Sequence, residues 1–189
     1  METLVLYDTT ANDYSGVDWL KLLLDNLGPE HKIQKIRLDY NEISSCLGCF
    51  GCWTKTPGNC VIKEDKANDI ARRYVNADVV VLLTQVVYGG YSPDIKAYID
   101  RSICILSPFF TMIKGEMHHQ KRYEKYPELY AFGYGKTTAE EKEIFANLSN
   151  RNALNLYSLR NKVFVAENKE EMVSCIKSFN NFLIRGDAI

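Results

Sequence analysis

The sequence predicts a doubly wound α/β fold, a five-stranded parallel sheet with helices on both faces. Three observations carry that expectation. Short apolar runs alternate with stretches of helical period along all 189 residues. The run Val79-Val80-Val81-Leu82-Leu83 is apolar at consecutive positions, as a strand covered on both sides must be. Cap residues open the intervening helices, so strand and helix alternate as βαβ units require. No repeat, low-complexity tract or Pro/Gly/Ser linker interrupts the chain, and residues 1–189 read as a single domain.

Taken in order, Leu4, Val5 and Leu6 form a first buried strand. A polar loop from Asp8 to Tyr14 leads to Ser15, which with Asp18 three residues on reads as the cap of a helix using Val17, Leu20, Leu24 and Leu27. Gly28-Pro29 stops that helix. Ile33, Ile36 and Leu38 mark a weaker second strand, and Asp65 opens a helix with Ile70, Ala71 and Tyr74 inward. The stretch from Asp78 to Thr84 is the central strand, and Ser92-Pro93 caps the helix carrying Ile95, Ile99, Ser102 and Leu106.

Residues 107–128 read as a long irregular insert, a functional cover or an interface element. Leu129 to Tyr134 is a fourth strand and Val163 to Ala166 a fifth. Thr138 with Glu141 forms a capping box before Ile144, Phe145, Leu148 and Leu156. Asn168 with Glu171 caps a last helix bearing Met172, Ile176, Phe179 and Leu183. Folds of this kind bind ligands beyond the carboxyl ends of the strands, which selects the loops 8–15, 85–92 and 133–138.

Charge removes one class of function. Lys and Arg number 23 against 24 Asp and Glu, so no basic excess exists to neutralise phosphates, and a nucleic-acid partner is not expected. No run approaches the ~20 apolar residues of a membrane span. The start, Met-Glu-Thr-Leu-Val-Leu-Tyr-Asp, is unlike a secretory leader. Both features point to the cytoplasm, where the six Cys would stay reduced. Neither an H-E-x-x-H motif nor a Ser/His/Asp spacing is present, so hydrolase chemistry has no support and no catalytic side chain or metal ligand set is assigned.

Four of the six cysteines crowd together. Cys46, Cys49, Cys52 and Cys60 follow C-x2-C-x2-C-x7-C, with Gly48 and Gly51 inside the tight spacings. Thiols at that spacing suit a [4Fe–4S] cluster better than zinc, which favours two separated pairs. A disulfide or sulfenic switch is an alternative. Cys104 and Cys175 fall on helices as small core residues. His118-His119 reads as a solvated lid edge, because adjacent side chains diverge. Arg101 is expected to pair with Asp100 or with a neighbouring element.

Three stretches together resemble one family. C-L-G-C-F-G-C-W-T-K-T-P-G-N-C at 46–60, Y-G-G-Y-S at 88–92 and I-K-A-Y-I-D-R at 95–101 are similar to the NADPH-dependent FMN reductase group, which includes iron–sulfur flavoproteins of flavodoxin-like fold. The resemblance implies FMN across the carboxyl edge of the sheet, NAD(P)H as co-substrate, electron transfer to a small-molecule or protein acceptor, and a homo-oligomer, dimer or tetramer. Carried over by position, Thr9, Thr10, Ser15 and Gly16 would meet the phosphate. Val86, Val87, Tyr88, Gly89, Gly90 and Ser92 would meet the ring, the two glycines admitting close backbone approach. A [4Fe–4S] cluster on the Cys46–Cys60 motif is the alternative redox centre; otherwise the loop is a wall beside the flavin with Trp53 as its apolar plug. Two positions depart from the family pattern. The first loop reads D-T-T-A-N-D-Y, where Asp8 and Asp13 would repel a phosphate unless turned away, and T-Q-V-V replaces T-P-V-Y at 84–87. A flavin-free binding or redox-sensing relative is the third reading.

Overall fold

The computed structural model describes residues 1–185. In chain order the elements are β1 (Glu2–Tyr7), α1 (Trp19–Asn26), β2 (Lys32–Arg37), the single turn α2 (Gly51–Thr54), α3 (Ala67–Asn76), β3 (Val79–Gln85) and α4 (Pro93–Arg101). A 3-10 turn over Ser102–Ile105 leads to β4 (Leu106–Ile113), β5 (Glu116–Lys121), β6 (Glu128–Tyr134), α5 (Ala139–Asn155), β7 (Asn161–Ala166) and α6 (Lys169–Arg185). Five strands pair in parallel in the order β2-β1-β3-β6-β7. This is the flavodoxin-like doubly wound sheet, with β3 at its centre.

Side-chain alternation along the strands creates two cores. Leu4, Leu6, Val80, Leu82 and Ala131 face α3, α4 and α5, where Ile70, Tyr74, Ile95, Tyr98 and Phe145 close over them. Val5, Val81, Leu83, Tyr130 and Phe132 face the other way onto α1 and α6, meeting Trp19, Leu23, Met172, Ile176 and Phe179. Both faces of β3 are therefore buried, which is why its sequence lacks any polar alternation.

Three sequence expectations change. Residues 107–128 are not irregular: β4 and β5 form an antiparallel hairpin closed by Lys114-Gly115, both at positive φ (50° and 82°). Those angles are what a two-residue hairpin turn needs. Pro108 hides the strand, but it lies where the register shifts between Leu106 and Phe110, so no ladder hydrogen bond is lost there. The helix after Pro93 also ends earlier than its apolar period, at Arg101, so Ser102 is its C-cap and Leu106 begins β4.

The first helix starts at Trp19, not after Ser15. Asp18 is the N-cap, its carboxylate accepting the Lys21 N–H at 2.8 Å. Ser15 (φ 54°) and Gly16 (φ 74°) form a reverse turn instead, between the bridged residues Tyr14 and Val17. The expected caps at Ser92, Thr138 and Asn168 are in place; Thr138 and Glu141 exchange both capping-box hydrogen bonds.

Phe179 is fully buried against the rings of Tyr130, Phe132 and Phe164. Phe179→Ala should cost about 3–5 kcal/mol, read as a lower urea midpoint with an unchanged slope. A shift within ~1 kcal/mol would show that α6 is not packed as described.

Candidate functional site

The sheet order reverses between β1 and β3, and the turns leaving β1, β3 and β6 converge there. Asp8, the residue after β1, is fully buried at this junction. Its Oδ2 accepts the Gln85 N–H at 2.7 Å. Its Oδ1 accepts the Tyr134 hydroxyl and, at 3.2 Å, the Thr10 hydroxyl. Burial, and after it the charge of Asp8, drives the Tyr134 hydroxyl far above its usual pKa, so it stays protonated and donates. One carboxylate thus joins three turns through charge-assisted hydrogen bonds, each of a kind worth about 1.5–3 kcal/mol.

A second buried carboxylate works beside it. Asp94, in the first turn of α4, accepts the Thr9 N–H at 2.9 Å and the Thr9 hydroxyl at 2.7 Å on Oδ2, and the Tyr40 N–H at 2.9 Å on Oδ1. Asp13 turns away from the junction and accepts the Gly16 N–H at 3.1 Å. Of the residues expected near a phosphate, Thr9 and Thr10 therefore stand at the junction, each holding a carboxylate. Ser15 and Gly16 sit farther along the turn, exposed to solvent. No Lys or Arg lies between residues 8 and 20.

The turn after β3 is built differently. Val86 is buried, and its N–H bonds the Tyr134 carbonyl at 3.0 Å. Val87 and Gly90 exchange both backbone hydrogen bonds, at 3.0 and 2.8 Å, around Tyr88 (φ 49°) and Gly89 (φ 74°). Gly89 is required twice over, by its φ and by Ile144, whose Cγ2 would lie 2.8 Å from a Cβ. Tyr88 is left 91% exposed at the sheet edge. Ser92 serves the fold, its N–H bonding the Thr84 hydroxyl and its own hydroxyl capping α4.

The four clustered cysteines line a separate cavity of ≈ 530 Å³ with Phe50, Trp53, Arg101 and His119. Arg101 stands at the opposite end of α4 from Ser92, about 14 Å away at the helical rise per residue. All six thiols are free; Cys46 and Cys49 are exposed and Cys52 is buried. Among the described residues, no three Cys, His, Asp or Glu side chains are gathered closely enough to hold a metal ion. Burial, with the neighbouring thiols adding to it, pushes up Cys52, and burial raises Cys104 to about 11, so neither is a ready thiolate.

Arg101 ties the ends of that loop together. Its buried guanidinium grips Asp65 with both Nη atoms at 2.9 and 3.2 Å, and reaches the carbonyls of Ser44 at 2.6 Å and Ile62 at 3.4 Å. Asp100 pairs with Lys96 instead. Burial pushes the Asp65 carboxyl up, but the hydrogen bonds from Arg101 and from the N–H groups of Ala67 and Ser44 outweigh it and hold it below its usual range. His118 and His119 are not a solvated edge. His118 is buried between Asn155 and Glu116, while His119 lies between Phe110, on which it stacks, and the tilted ring of Trp53, with both centroids at 4.7 Å. Trp53 packs as expected and donates its indole N–H to the Leu106 carbonyl.

In the sequence Asp94 carries no signal of this role, and Tyr134 reads only as a strand end with a ring that could stack on a ligand. An acidic residue in a first helical turn and a Tyr at a strand end are ordinary on their own, and only the folded junction brings them to Thr9 and Asp8.

No family model matches the chain. It is 31% identical over 80 residues to an iron–sulfur flavoprotein of Archaeoglobus fulgidus, a match over 42% of this chain and 34% of that protein. It is 36% identical over 67 residues to an iron–sulfur flavoprotein of Methanocaldococcus jannaschii, over 35% and 33% of the two chains. The match thus spans about a third of the length of these curated relatives. Among solved structures it resembles an FMN-dependent NADH-azoreductase from Bacillus anthracis in complex with FMN, at TM-score 0.65 and 14% identity over 98% and 99% of the two chains. An NAD(P)H:quinone oxidoreductase from Methanothermobacter marburgensis superimposes at TM-score 0.69 with 11% identity over 97% and 96%. These likenesses establish the fold.

Removing either partner of the Asp65–Arg101 pair strands a buried charge. Arg101→Met should destabilise by about 3–5 kcal/mol. Because folding lowers the Asp65 pKa, its contribution is complete above the unfolded carboxylate value near ~3.9 and disappears as pH falls through the folded value. Wild type should therefore lose stability on acidification faster than Asp65→Asn, measured by urea titration across that range. Parallel curves would contradict the pairing.

Proposed function

We propose that this chain is an FMN-binding, NAD(P)H-dependent oxidoreductase that passes electrons to a small-molecule or protein acceptor, with residues 1–189 acting as one cytoplasmic domain. The observation that carries this reading is the 86–90 turn. It is a rigid backbone edge at the point where strand order reverses, with Tyr88 exposed on it and no bulky side chain at Gly89 or Gly90. The FMN-dependent azoreductase named above has a similar fold, and the iron–sulfur flavoproteins are 31% and 36% identical to this chain over 80 and 67 residues.

The residues present fit the ring of such a ligand. Gly90 carries no side chain over this edge and Tyr88 stands exposed on it, so a flat ring would meet bare backbone there. When bound, FMN supplies a ring that takes up a hydride and gives up electrons. The chain's part is positional. The paired Val87–Gly90 hydrogen bonds hold the edge in one shape, the exposed Tyr88 ring offers a stacking face, and Asp8 fixes the β3 turn relative to the β1 turn. No side chain at this edge is assigned acid–base work.

Protein purified without oxygen and supplied with FMN should acquire a flavin absorbance that bleaches with NADH or NADPH. A colourless protein that FMN does not stabilise would overturn the reading and leave a flavin-free binding module. A second reading, a [4Fe–4S] flavoprotein, is favoured by one observation, that Cys46, Cys49, Cys52 and Cys60 line a single cavity. As they stand these thiols do not meet at one point, so the loop would have to close around a cluster. Iron and sulfide assays after anaerobic reconstitution decide it.

The hairpin supports a homo-oligomer, since Phe109, Phe110, Met112 and Met117 are all exposed on it. Light scattering should give at least twice the 21.7 kDa chain mass, and a Phe110→Lys, Met112→Lys variant should give the monomer. A monomeric wild type would refute that assembly.

A further inference from the structure

The β1 turn already holds an anion, and that anion is part of the chain. Asp94 is 5% exposed. It lies in the first turn of α4, where the helix dipole favours negative charge. Its Oδ2 receives both the N–H and the hydroxyl of Thr9, at 2.9 and 2.7 Å. A backbone N–H and a hydroxyl at the start of the β1 turn are the donors a phosphate monoester would use there. The second oxygen takes the Tyr40 N–H at 2.9 Å, so the carboxylate also clamps the turn after β2. Asp8 lies buried one residue away, and no Lys or Arg in residues 8–20 offsets the two charges.

We propose that Asp94 determines ligand specificity at this edge: its carboxylate fills the anion position of the β1 turn, so the wild-type chain gains no affinity from the 5′-phosphate of FMN. The proposal rests on the flavin reading above and deepens it. The ligand class it selects is a flavin held by its ring, with the phosphate contributing nothing at Thr9. Asp94→Asn removes one charge that opposes a phosphate and leaves a single acceptor oxygen in place of two, so the Thr9 and Tyr40 donors can no longer all be held.

The test is quenching of flavin fluorescence by wild type and by Asp94→Asn, with FMN and riboflavin as separate ligands, alongside thermal melts with inorganic phosphate. Wild type should bind the two flavins within about threefold of each other, whereas Asp94→Asn should tighten FMN by roughly tenfold or more and leave riboflavin unchanged. Inorganic phosphate should raise the melting midpoint of Asp94→Asn and not that of wild type. FMN binding to wild type roughly tenfold tighter than riboflavin would overturn the proposal and leave the flavin reading intact. That comparison needs no variant, so it decides even where Asp94→Asn fails to fold. If neither flavin binds either protein, the flavin reading falls and phosphate decides the rest. A midpoint raised only in Asp94→Asn upholds the specificity role of Asp94, and no response in either protein overturns it.

Discussion

A single buried carboxylate organises the ligand edge of this sheet. Asp8 is cut off from water, and its charge is tolerable there because Gln85, Tyr134 and Thr10 bring donors to it from three different turns. The dependence runs both ways. Without those donors the ion would be too costly to bury, and without the ion the turns after β1, β3 and β6 would lose their common partner. The position of the Val87–Gly90 reversal, and so of anything bound against it, follows from that junction.

Asp94 extends the same construction to the turn after β2 by holding Thr9 and Tyr40. The carboxyl edge is thereby stitched by two negative charges, one of which takes up both Thr9 donors. This reconciles a fold shared with flavin reductases with a first turn that carries acids and no base. On the proposed reading, the architecture keeps a platform for a ring and alters the anion end. At the far end of α4, Arg101 performs a parallel task with the opposite charge, closing the base of the cysteine loop on Asp65.

Much of the fold was legible in the residues. Val79–Leu83 announces a strand covered on both faces, and Ser92-Pro93, Thr138/Glu141 and Asn168/Glu171 mark helix starts, because these signals are local. The hairpin was hidden because Pro108 argues against a strand and is harmless only at the register shift. Ser15 misled because Asp18, which also reads as part of a cap, sits three residues later and wins the helix. At the site, Gly89 was legible from its type alone, since few other residues suit a positive φ beside a packed helix. The partners of Thr9 and Asp8 were not, because they come from 85 and 126 residues away and carry no local signature.

The central claim is that ligand meets protein at the turns after β1 and β3, not at the cysteine cavity. Amide chemical shifts of isotope-labelled protein titrated with FMN test it directly. The account expects the amides of Gln85 to Gly90 to move first and furthest, while those of Cys46 to Cys60 stay in place. Movement concentrated in the cysteine loop, with the strand-edge turns silent, would contradict it.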